Sequence, residues 1–120
     1  MVIEQKRNDK LSEARQVFAK ARNADNLGKW ASKENAGTDE AKAIMLILND
    51  YEFIASAMRD EAFNLSLYKR MKFSTVVRDW ESLQAFVHEK RQEVKHPTLF
   101  QEFEWMAKKF KKKPLKQDND

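Results

Sequence analysis

Apolar positions recur with a helical period along most of the chain, and they predict an all-α fold, a compact bundle of four to five helices. The longest apolar segment begins at Ala41 and reads AKAIMLILNDYEFIASAM, with a first half that is apolar on every face. A helix that is apolar on all sides is normally buried in a protein core. We therefore expect a central helix that Thr38 caps and that runs to about Asp60.

Shorter apolar stripes predict the other helices. A first helix over residues 2–23 carries a stripe made of Leu11, Ala14, Val17, Phe18 and Ala21. We expect residues 65–94 to form one helix, or two helices with a kink at 72–75, and to pack antiparallel to the central helix. Pro97 suits the first turn of a last helix, whose stripe includes Phe103, Met106 and Phe110 and which Pro114 ends.

The composition indicates a single domain without disulfides. The chain has 120 residues, two glycines, two prolines and no cysteine. So few turn residues disfavour sheets, and the lack of cysteine excludes thiolate metal sites. We assign residues 1–115 to one helical domain and expect 116–120 to be a frayed tail. No segment has the roughly 20 apolar residues that span a bilayer and no signal sequence is recognisable, so we expect a cytoplasmic protein.

The net charge of +4 originates at the C-terminal end of the chain. Five lysines near the end of the last predicted helix are Lys108, Lys109, Lys111, Lys112 and Lys113. Together with Lys116 they leave the remainder of the chain slightly acidic. Cations at a helix C-terminus complement its dipole and aid solubility, which is one reading of this cluster. The other reading makes the five lysines candidate contacts for nucleic-acid phosphates.

Acidic and basic residues on the predicted core helices form a second candidate set. We assign a structural ion-pair network to Asp50, Glu52, Arg78, Arg91 and Glu104, and Asp79 and Arg70 belong to the same set of charged residues on these helices. Glu52 lies one turn from Leu48, so it needs a partner, because an unpaired buried carboxylate is costly. We expect Arg78 or Arg91 to be that partner. Catalysis by Asp50 and Glu52 is disfavoured, since these side chains point about 200° apart on a helix.

The sequence offers no framework for an enzyme, a metal or a cofactor. Glu93 and His96 match the Glu-x-x-His spacing of di-iron bundles, but the second motif that such bundles need is missing. Two glycines cannot form a phosphate-binding loop, and no serine lies in a glycine-rich elbow. We therefore expect no catalytic residue, no metal ligand and no cofactor.

Two tryptophans are candidate contacts for a partner protein. Trp105 interrupts the apolar stripe of the last helix, and Trp30 lies outside any long predicted helix. Exposed tryptophans surrounded by charge are common binding anchors.

Several short motifs resemble a family of small bacterial and phage proteins that is known only as a domain of unknown function. In order and approximate spacing, the motifs are NDYEFIA at 49–55, Tyr68, VRDW at 77–80, FV at 86–87, Arg91, Pro97 and FEW at 103–105. The resemblance covers about residues 41–110 and implies an all-helical fold. Many members of that family carry an N-terminal membrane helix, of which this sequence shows no sign, and the family supplies no activity to transfer.

These observations favour a non-enzymatic protein-interaction module, of the kind with which a phage or mobile element modulates or inhibits a host protein. The alternative is a nucleic-acid-binding protein that uses the C-terminal lysines. A homo-oligomer is also compatible with the sequence.

Overall fold

The computed structural model describes residues 2–24, 27–60 and 64–114, and it confirms the predicted all-α fold. Its four α-helices are α1 (Val2–Ala24), α2 (Asp39–Arg59), α3 (Leu65–Glu93) and α4 (Gln101–Lys112), and 3-10 turns lie at Leu27–Ala31 and Lys33–Asn35. None of the described residues forms a strand. The expected frayed tail at 116–120 lies outside the described residues.

Polar side chains cap two of the helices at their N-termini. At the start of α2 the Thr38 hydroxyl accepts a hydrogen bond of 3.2 Å from the Ala41 N–H, which confirms the predicted cap. At the start of α3 the Asn64 side chain accepts one of 3.0 Å from the Leu67 N–H. Each cap satisfies an amide that has no partner within its own helix.

The second half of the chain differs from the expectation in where the last helix begins. α3 is continuous through residues 72–75, and it ends where Lys95 adopts a left-handed conformation with φ 55°. The His96 N–H then donates to the Arg91 carbonyl at 2.9 Å, as in a Schellman motif. Phe100 is also left-handed, with φ 61°, so a helix cannot run through it from Pro97. α4 therefore begins at Gln101 instead of at Pro97.

The helix α4 packs against both α2 and α3. α2 packs against α1 and α4, whereas α3 packs against the Leu27–Ala31 turn and α4. The expectation that α3 lies along α2 is therefore wrong, because α4 occupies that position. The aromatic residues Phe103 and Phe110 of α4 are fully buried.

The prediction that α2 is buried on every side holds for only part of its surface. Ile44 and Leu48 have no exposed surface, but Leu46 is 37% exposed and Phe53 is 63% exposed. One face of α2 is therefore open to solvent. Within the described part of the chain, no helix combines the length and apolar character needed to cross a membrane.

Candidate functional site

A buried carboxylate joins three helices near the middle of the fold. Asp79 of α3 is the one charged residue that is fully buried among those described. The Tyr51 hydroxyl of α2 donates to Asp79 Oδ2 over 2.6 Å. From α1, Arg15 Nη1 lies 2.9 Å from Asp79 Oδ2, and Arg22 Nη1 lies 3.3 Å from Oδ1. We call Asp79, Tyr51, Arg15 and Arg22 the Asp79 cluster.

The electrostatics of this cluster suit an anchor. Burial raises the pKa of Tyr51 well above its ordinary value, and the charge of Asp79 adds to this effect, so the hydroxyl stays protonated. Arg15 also donates to the Tyr51 oxygen over 3.1 Å. Asp79 has no exposed surface, so its carboxylate cannot contact a dissolved substrate. The cluster therefore fixes α1 against α2 and α3.

Glu52 has a different partner from the one expected. Its carboxylate accepts hydrogen bonds from the backbone N–H groups of Phe103, at 2.9 Å, and Glu102, at 3.3 Å. These amides lie in the first turn of α4, where Phe100 provides no side-chain cap. The expectation that Glu52 pairs with Arg78 or Arg91 is therefore wrong. The free backbone N–H groups at the start of α4 bind the carboxylate in place of an arginine.

Replacing Glu52 with alanine should therefore lower the free energy of unfolding by about 1 kcal/mol, the usual effect of removing a helix cap. Glu52→Gln keeps an acceptor for the α4 amides and should lose less. Urea unfolding followed by circular dichroism measures both variants. Equal losses for alanine and glutamine would show that the negative charge, and not the hydrogen bonds, stabilises α4.

The other members of the predicted network occupy separate places. Arg91 Nη2 lies 2.8 Å from Glu104 Oε1, and its Nε donates to the Leu99 carbonyl over 2.8 Å. Partial burial tends to raise the pKa of Glu104, but hydrogen bonds and charges from Lys108 and Arg91 outweigh it, so the pKa is lowered. Arg78 is largely exposed and lies 3.5 Å from Asp79.

The two candidate tryptophans are half-buried and covered by cations. Trp105 has the Arg59 guanidinium 4.5 Å from its ring centroid and Lys109 Nζ at 5.6 Å. Trp30 has Lys29 Nζ at 4.9 Å. Both rings pack against the core. Their proposed role as partner contacts remains a prediction.

Two of the five candidate lysines form ion pairs within the protein. Lys108 Nζ lies 2.7 Å from Glu104, and Lys111 Nζ lies 3.1 Å from Glu81. Lys112 and Lys113 are exposed. No group of three or more His, Cys, Asp or Glu side chains in the described part of the chain is arranged to hold a metal ion.

An open apolar groove lies between α1, α2 and α3. Its volume is about 780 Å³, and it is lined by Asn8, Leu11, Asp50, Phe53, Ile54, Met58, Asn64, Leu67, Tyr68 and Met71. A smaller hollow of about 250 Å³ shares Leu11, Asp50 and Phe53 with it and extends to Leu46. The two hollows form one continuous surface that crosses from α2 to α3.

The groove leaves large apolar side chains in contact with water. The exposed fractions are 63% for Phe53, 47% for Leu67 and 68% for Met71. We call these three residues and Leu46 the groove face.

Polar groups lie beside the groove face, because Asp50 and Tyr68 also line the groove. Burial, together with the charge of Asp50, raises the pKa of Tyr68 to about 12. The Tyr68 hydroxyl is therefore protonated at neutral pH.

Of three comparisons with known proteins, the one with protein-family models found a match. Neither the curated proteins nor the solved structures include a match to this chain. A family model described as "Domain of unknown function (DUF4760)" matches residues 1–110, which is most of the chain. The chain therefore belongs to the DUF4760 family, a domain of unknown function.

Proposed function

We propose that this protein is a non-enzymatic protein-interaction module and that the groove face is its contact surface. The observation that carries the proposal is the exposure of Phe53, Leu67 and Met71 around one groove. Contiguous apolar patches on soluble proteins usually mark binding sites, because leaving them in water is unfavourable.

The arrangement of the groove suits recognition of another protein. Large apolar side chains form its walls, and Asp50, Asn8 and Asn64 supply polar groups beside them. Protein interfaces commonly combine apolar anchors at the centre with polar groups that fix orientation. The cluster around Asp79 ties α1 to α2 and α3, and α1 contributes Asn8 and Leu11 to the lining of the groove.

A surface of this kind on a small bundle would serve a phage or mobile element as a modulator or inhibitor of a host protein. Nucleic-acid binding through the C-terminal lysines has less support. Lys108 and Lys111 already pair with carboxylates, and Lys109 covers Trp105. We therefore expect no gel shift with duplex DNA or RNA at moderate salt.

Site-specific photocrosslinking in cells tests the proposal. A benzoylphenylalanine at position 53 or 71 should form discrete protein adducts, and the same group at Val94 should not. Val94 is a suitable control because it is 49% exposed but does not line the groove. Adding Met71→Asp to the position 53 variant should remove the adducts.

Two results would overturn the proposal. One is the absence of adducts from both groove positions. The other is an equal yield of adducts from the Val94 position, since the crosslinks would then report general exposure and not the groove. A gel shift that disappears when residues 108–113 lose their lysines would favour nucleic-acid binding instead.

A further inference from the structure

We propose that the groove face binds a second copy of this chain and forms a two-fold symmetric dimer. This inference rests on the proposed function, because it assigns a specific partner to the same surface. Three features carry it: the spacing of the exposed residues, the charges on the two edges of the groove, and the open face of α2.

The spacing of the exposed residues is that of a surface on which helices pack. Leu46 and Phe53 lie seven residues apart along α2, on one face of that helix. On α3, Leu67 and Met71 are four residues apart, as are a d position and the following a position of a coiled-coil seam. Side chains with these spacings form a row along one helix face and interdigitate with those of a facing helix. The partner that best fits two such rows presents two helices.

A second copy supplies that pair of helices. In a two-fold symmetric contact the same surface is used on both sides, so each copy covers the apolar row of the other. Phe53 and Met71 of one copy would then enter the groove of its partner. Because the same surface serves both contacts, a host protein would have to compete with the second copy for the groove face.

The charges along the groove are arranged for self-recognition. Asp60, at the C-terminal end of α2, and Arg70, beside Met71 on α3, are both exposed, and neither forms an ion pair with another described residue. Neither residue lines the groove itself. A half-turn about an axis that runs along the groove, between α2 and α3, brings the α2 edge of one copy against the α3 edge of the other. Asp60 of each copy then faces the helix that carries Arg70 of its partner, which favours this pairing over association with like charges.

The open face of α2 also requires a cover. Ala43, Ile44, Ile47 and Leu48 are already buried within the monomer, and the large apolar residues that stay exposed on α2 are Leu46 and Phe53. Removing their apolar surface from water is favourable. Dimerisation through the groove face would cover both.

Sedimentation equilibrium from about 1 to 500 µM tests the dimer with the full chain. We expect the parent to be a dimer at the upper end of this range. Phe53→Asp and Met71→Asp should raise the Kd at least about 100-fold, because each substitution occurs twice in a symmetric interface. Val94→Asp should leave the Kd unchanged. Circular dichroism of each variant verifies that the fold is intact, as expected for changes at exposed positions.

A charge exchange tests the symmetry of the contact. Asp60→Arg gives two basic edges, and Arg70→Asp gives two acidic edges. Each variant alone should dimerise about 2- to 25-fold more weakly than the parent at low salt, from two symmetry-related pairs of at most about fivefold each. An equimolar mixture of the two variants should recover the affinity, because unlike edges then face each other. High salt should reduce all of these differences.

The outcomes separate the two proposals. A monomeric parent at 500 µM would overturn the dimer, and the proposed function would survive if position 53 still crosslinks to another protein. A monomer without groove crosslinks would overturn both. A dimer that Phe53→Asp and Met71→Asp leave intact would place the contact elsewhere and would also overturn the inference.

Discussion

Replacing Asp79 with alanine is expected to lower the free energy of unfolding by about 2–4 kcal/mol. Removing one partner of a fully buried ion pair costs about 3–5 kcal/mol. The expected loss is smaller here because the Arg15 and Arg22 side chains are 42% and 25% exposed and can recover hydration. The buried Tyr51 hydroxyl, in contrast, loses its acceptor at 2.6 Å, and such a loss accounts for about 1–3 kcal/mol of the total.

Chemical denaturation monitored by circular dichroism measures this loss, and Tyr51→Phe is the matched control. That variant removes the hydroxyl but leaves Asp79 with both arginines, so it should cost only about 1 kcal/mol. A second readout comes from absorbance titration of the tyrosines. Burial still raises the pKa of Tyr51 in Asp79→Ala, but the contribution of the Asp79 charge is removed, so the pKa should fall.

The opposite result would also be informative. If Asp79→Ala were as stable as the parent, the ion pairs to the two arginines would contribute nothing to stability. The packing of Ala14, Phe18 and Ala21 would then hold α1 by itself. We expect instead a loss of stability that Tyr51→Phe reproduces only in part.

Much of this fold could be predicted from the chain because helical periodicity determines which face of each helix is buried. Phe103, Met106 and Phe110 form the predicted stripe of the last helix, and all three are fully buried. Periodicity does not determine which helices are neighbours. The expectation that α3 lies beside α2 was wrong for this reason, since either α3 or α4 could have covered the same face of α2.

The candidate sites were harder to predict for a related reason. Arg15 and Arg22 lie 64 and 57 positions from Asp79, and such separations leave no local pattern. The available signal was the seven-residue spacing of the two arginines beside the apolar stripe of α1, which places both on one side of that helix. Phe53 lies four residues after Asn49 and seven before Asp60, so it shares a helix face with two polar positions, and this pattern was the available signal for its exposure.

The second large effect is expected at Phe103, where alanine should lower the free energy of unfolding by about 3–5 kcal/mol. The ring is fully buried and stacks on Tyr51 with centroids 4.2 Å apart and planes at 7°. It also meets Trp80 edge-on, with centroids 5.3 Å apart. Such ring pairs contribute about 0.5–1.5 kcal/mol each beyond the burial of apolar area.

The same substitution at Phe53 is the control, because it removes the same atoms from a ring that is 63% exposed. At micromolar protein concentration, where association is minimal, Phe53→Ala should change stability by less than about 1 kcal/mol. The contrast follows from position alone, since Phe103 connects α4 to α2 and α3 while Phe53 lies at the groove. Equal losses for the two variants would mean that Phe53 is buried in the folded monomer, and the groove face would then lose its central anchor.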